Sequence, residues 1–119
     1  MPVINIRGAE SRSDLATRKS LVHIAQATAS AGKIDVRRVW CTFQPLAAMT
    51  IGEQVPDEAD AILFIDLLTR DRGAPATRAM LEAAARAAAE SFQTPLENVW
   101  ARPVILKSSM VFAGGTFVV

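Results

Sequence analysis

Pro2 is the residue with the most chemical reach in this chain. Once Met1 is removed, Pro2 becomes an N-terminal secondary amine at the head of an apolar run, Val3-Ile4-Asn5-Ile6. A free prolyl nitrogen is a compact base and nucleophile. An α-amino group titrates at about 7.7–8.0, close to neutrality. Burial or neighbouring cations favour its neutral form. The competing reading is that Pro is simply common at second positions. Two other reactive residues occur once each, Cys41 and His23. Cys41 lies in a β-branched and aromatic run and reads as a buried strand residue. His23 falls mid-helix, at an exposed or half-buried position. No second His or Cys stands at metal-ligand spacing, so no metal site is expected.

The elements that must position Pro2 follow from length and pattern. A chain of 119 residues is one domain, or two small units sharing a core. Half the residues are hydrophobic and the net charge is +1, which argues against disorder and against a nucleic-acid binder. No apolar run approaches the ~20 residues that cross a bilayer, so no membrane partner is expected. The early acid Glu10 and the lack of a long apolar core argue against a secretory signal. A lone thiol implies no disulfide framework and fits the cytoplasm.

The pattern repeats. Val3 to Ile6 reads as a strand, and Ser13 as the N-cap of a helix over 14–31. Leu15, Leu21, Val22, Ala25 and Ala29 form its apolar face, with Ile24 at the margin. Gly32 sits where a C-cap glycine belongs. Val39-Trp40-Cys41-Thr42-Phe43 reads as a second strand, ended by Pro45, and Met49-Thr50-Ile51-Gly52 as a short strand with a turn. The stretch 53–60 is acidic, carries Pro56 and reads as a solvated linker. Residues 61–68 are nearly all apolar and suit a strand buried on both faces. Residues 69–73 form a polar turn, and Pro75 suits the first turn of a helix over 76–91. Leu81, Ala84, Ala85, Ala88 and Phe92 form that helix's apolar face. Residues 99–106 form the next strand, and Pro103 within it points to an edge or a bulge. Its opening, Val99-Trp100, repeats Val39-Trp40. Residues 110–115 repeat the small hairpin, and 116–119 close the chain as a strand. Right-handed crossovers make each pair of long strands parallel. The expected fold is α/β, an α+β layer. Two tandem β-α-β-hairpin units (1–53 and 61–119, joined by 54–60) form a four-stranded mixed sheet with both helices on one face.

These residues carry a family resemblance. Pro2 after the initiator Met, Arg12-Ser13-Asp14 leading into the helix, Arg38 before the second strand, and the two small hairpins resemble a tandem, fused member of the tautomerase superfamily. The prototype of that superfamily is 4-oxalocrotonate tautomerase. Val39-Trp40-Cys41-Thr42-Phe43 also resembles the matching strand of the dehalogenase and decarboxylase branches. The second half has no proline at its strand start, so one imino base per chain is expected.

The resemblance implies that the prolyl nitrogen moves a proton on a small 2-oxo or 2-hydroxy (enol) carboxylic acid, without a cofactor. Arginines grip the carboxylates and keep the amine neutral. The tandem layout implies that Pro2 meets Arg70, and less directly Arg72, with Arg38 contributing from a neighbouring edge or subunit. Arg12 would face the proline-less pseudo-site. Asn98 stands where Arg38 has its counterpart, and Arg102 shares a face with Asn98 and Trp100, where it could restore a cation. Met49, Phe112 and Trp100 are candidate pocket walls. Phe112 takes the place where the dehalogenase branch has a water-activating carboxylate. A closed homotrimer is implied. The alternatives are a superfamily lyase, a decarboxylase or dehalogenase of a three-carbon acid with a cationic proline, and a non-catalytic trimeric module.

Overall fold

The computed structural model describes residues 2–9, 13–55 and 62–118. A strand β1 (Val3–Gly8) leads to a helix α1 (Asp14–Gly32), a short 3-10 turn (Val36–Arg38) and a strand β2 (Trp40–Pro45). The second half repeats this with β3 (Leu63–Arg70), α2 (Ala74–Ser91), a 3-10 turn (Leu96–Asn98) and β4 (Val99–Leu106). A hairpin, β5 (Val111–Ala113) and β6 (Thr116–Val118), follows.

The four long strands form one sheet in the order β2-β1-β3-β4. β1 runs parallel to β2, β3 runs parallel to β4, and the central pair is antiparallel. Alternation sends Ile4, Ile6, Leu63, Ile65 and Leu67 to the helix side, where they are fully or nearly fully buried. Val3, Asn5, Arg7, Phe64, Asp66 and Leu68 take the opposite face. Both helices pack on the first face, with Ile24, Met80, Ala84 and Ala88 at the centre of the core.

The helix faces differ from those the apolar pattern predicts. On α1 the buried residues are Thr17, Ser20, Ile24, Ala25, Thr28 and Ala29, while Leu15 and Val22 are 63% and 56% exposed. Hydroxyl side chains enter the core because each bonds the carbonyl one turn back: Thr28 Oγ1 donates to Ile24 O at 2.8 Å, and Ser20 Oγ to Ala16 O at 3.1 Å. A hydroxyl satisfied this way costs little to bury. Ile24 is therefore central rather than marginal. On α2 the sequence pattern passes over Met80 and Thr77, both buried.

Ser13 caps α1 by accepting from Ala16 N at 3.1 Å. Gly32, by contrast, lies inside α1, and the left-handed cap is Lys33. Gly32 serves close packing instead, since a Cβ there would come within 2.9 Å of Met80 Sδ. β3 starts and ends later than the apolar run suggests, because Thr69 and Arg70 pair with Ile105 and Leu106 of β4. It is also buried on one face, with Asp66 on the other, rather than on both. The expected strand near Ile51 reduces to an isolated bridge between Ile51 and Gln54. No helix among the described residues is long and apolar enough to cross a membrane.

Candidate functional site

Register decides what meets Pro2. Val3 pairs with Leu68 across the antiparallel centre of the sheet, so Pro2 falls at the end where β3 finishes in Thr69 and Arg70. The Pro2 carbonyl accepts from Trp40 N at 3.1 Å, which ties it to the residues following the Val36–Arg38 turn. Pro2 is fully buried. It lines a cavity of about 490 Å³ together with Lys33, Ile34, Asp35, Arg38, Arg70, Arg72 and Val118.

The cavity is strongly cationic. Among the described residues, Lys33, Arg38, Arg70 and Arg72 face a single carboxylate, Asp35. Asp35 is already engaged: Arg37 Nη2 donates to Oδ2 at 2.7 Å and Arg37 Nε to Oδ1 at 3.2 Å. These bonds, the Arg37 backbone N–H and the nearby Arg38 hold the Asp35 carboxyl below its ordinary range. Among the described residues, none of the four cavity cations forms an ion pair with a carboxylate. The Arg72 guanidinium sits below its usual range, because it is partly desolvated and lies near Arg70. Like charges held together, with no direct ion pair to a carboxylate among the described residues, form a site for an anion.

The sequence-predicted residues divide between this cavity and other places. Pro2, Arg38, Arg70 and Arg72 come together in it. Arg12 lies outside the described residues. Arg102 is on the open face of the sheet, donating from Nε to Asp66 Oδ1 at 2.8 Å and lying over the Trp100 ring at 5.9 Å. Arg102 and Trp100 do not line the cavity of their own chain. Met49 is half-buried in the segment after β2. Phe112 stacks edge-on against Phe117 at 5.3 Å within the β5–β6 hairpin. Neither reaches the cavity, and the hairpin contributes Val118 instead. Lys33 and Asp35 are site residues that the sequence analysis passed over. The repeat could have found them, for both precede the Val39-Trp40 pair and lack charged counterparts before Val99-Trp100. Among the described residues no group of three or more His, Cys, Asp or Glu could hold a metal.

Across nearly its whole length, the chain is similar to several solved structures. Pt0534 inactivated by 2-oxo-3-pentynoate superposes with a TM-score of 0.85 at 14% identity, covering 98% of this chain and 94% of that one. A fused 4-OT solved as a symmetric trimer gives 0.84 at 13% identity, with the same coverage. N1, a member of the cis-3-chloroacrylic acid dehalogenase family, gives 0.80 at 16% identity, covering 98% of this chain and 82% of that one. The fold is that of the tautomerase superfamily. No family model and no curated protein matches the sequence. In this tautomerase fold the two β-α-β halves share a backbone plan, and the cationic cavity stands at the Pro2 end.

Proposed function

We propose that the protein is a tautomerase acting on small 2-oxo or enol carboxylic acids, with the Pro2 nitrogen as general base and a homotrimer as its working form. The observation that carries this reading is a buried N-terminal-strand proline in a cavity lined by four cations. With Met1 removed, the nitrogen is a free secondary amine. The surrounding positive charge disfavours adding another, so the amine stays neutral and basic. It takes the proton from the enol hydroxyl, the electron pair moves through the conjugated system, and the prolyl ammonium returns that proton to carbon to give the ketone. Arg38, Arg70 and Arg72 hold the carboxylate and stabilise the negative charge that develops on oxygen.

The lyase alternative needs a protonated proline, which the four cations oppose. Hydrolytic dehalogenation also needs a carboxylate to activate water, and the one acid among the described cavity residues, Asp35, is held by Arg37. The trimer is supported by the sheet face left open by the helices. Trp40 and Trp100 stand 56% and 53% exposed there, on the same face as Phe64, Leu68 and Val104.

The test is a pH-rate profile for ketonisation of phenylenolpyruvate and 2-hydroxymuconate by protein whose intact mass shows Met1 removed. Activity should rise with pH through one apparent pKa, as the amine loses its proton. A rate that falls with rising pH supports the cationic-proline lyase instead. Processed protein without ketonisation of either compound overturns the reading.

A further inference from the structure

Thr69 is the last inward-facing residue of β3, and it is fully buried. Its hydroxyl oxygen accepts from Arg72 Nε at 2.9 Å. A guanidinium is planar, with its five N–H donors in a fixed fork. Anchoring Nε to a buried oxygen therefore orients the plane and leaves the two terminal NH2 groups free. That outer edge is one that grips a carboxylate with two parallel bonds. A neutral anchor also differs from an acidic one. Asp66 takes Arg102 on the open sheet face and partly neutralises it, whereas Thr69 orients Arg72 and leaves its charge uncompensated. The matching position in the first half, by strand register, is Gly8, which has no hydroxyl.

We propose that Thr69 is a positioning residue for anion binding: its hydroxyl aims the Arg72 fork into the Pro2 cavity to receive the carboxylate of a 2-oxo acid. The proposal rests on the reading of Pro2 as a reactive amine in an anion-binding cavity. It assigns part of the substrate grip to a residue that does not touch substrate.

The probe is 2-oxo-3-pentynoate. The Pro2 nitrogen adds to its conjugated alkyne, one N–C bond forms, and the amine proton passes to the carbon beside the ketone. The carboxylate remains free to be held. Labelling rates across probe concentrations separate the half-saturating concentration from the limiting rate. Thr69→Val keeps the shape and removes the oxygen. It should raise the half-saturating concentration about tenfold, with the limiting rate within about twofold of wild type. Thr69→Ser should restore tight labelling. Arg72→Ala should weaken it similarly, and adding Thr69→Val to Arg72→Ala should weaken it no further, as expected when one residue acts through another. If Thr69→Val fails to fold by thermal melting, Thr69→Ala against Thr69→Ser gives the same readout. A Thr69→Val protein that labels like wild type, or the same loss with and without Arg72, overturns the proposal. Wild type left unlabelled at Pro2 overturns the underlying reading and this proposal with it, a result distinct from a labelled wild type with unresponsive Thr69 variants.

Discussion

The two ends of the central strand pair share a backbone and differ in chemistry. After α1, Lys33 adopts φ 54° and after α2, Gln93 adopts φ 53°. Ile34 N donates to Ala29 O at 2.9 Å, and Thr94 N to Ala89 O at the same distance. Arg38 N donates to Asp35 O at 2.9 Å, and Asn98 N to Pro95 O at 2.8 Å. On this common frame Pro2 stands against Leu63 by strand register, and, 60 residues apart, Lys33 stands against Gln93, Asp35 against Pro95, and Arg38 against Asn98. At these four positions one end carries the imino acid and three charged side chains, and the other carries uncharged ones. The left-handed residue at each helix end thus belongs to the fold and not to the site, since Gln93 adopts it without lining the cavity. The proposed function rests on a handful of side chains placed on one end of a duplicated scaffold.

This contrast can be broken most sharply at its centre. Pro2→Ala should lower kcat/KM for phenylenolpyruvate by about 10²–10⁴-fold, while Ile62→Ala, next to Pro2's counterpart at the other end, leaves it within about threefold. A comparable loss from Ile62→Ala would show that both ends act. The shared frame should respond as one body. Met80→Ala empties a buried site between the helices and should cost about 2–5 kcal/mol, read by urea denaturation as a single transition of both halves. Two separate transitions would show that the halves fold independently. Arg70→Ala and Arg38→Ala should each raise KM about 10–100-fold, the loss of a charged hydrogen-bonding partner, whereas Asn98→Ala should leave it unchanged.

The smallest effect concerns Cys41. Burial pushes its thiol up to about 11 from an ordinary 9.0. Between those values the unfolded chain loses the thiol proton and the folded chain keeps it. The unfolded state binds fewer protons there, so stability should fall as pH rises from about 9 to 11. Cys41→Ala should flatten that part of the stability curve in denaturant titrations.

The sheet, its parallel pairs and the tandem halves were legible because strand alternation and the Val39-Trp40 and Val99-Trp100 openings are local signals. The helix faces were less so. Thr17, Ser20 and Thr28 read as polar, yet they enter the core by bonding carbonyls one turn back, a satisfaction that no hydropathy pattern records. Pro2, Arg38, Arg70 and Arg72 were legible through their place in the repeat. Lys33 was not, because its charge at the end of a helix resembles any solvated lysine until β1 and β2 bring Pro2 beside it. Arg102 looked equivalent to the cavity arginines, but strand alternation sends it to the open face, where Asp66 holds it.

The central claim is that one of the two ends carries a reactive amine. Intact mass spectrometry and peptide mapping after exposure to 2-oxo-3-pentynoate test it directly on protein with Met1 removed. The account predicts one adduct per chain, on the Pro2 nitrogen, and none in Pro2→Ala in which the new N-terminal amine is acetylated. An unmodified chain, or an adduct that persists in that blocked variant, would contradict it.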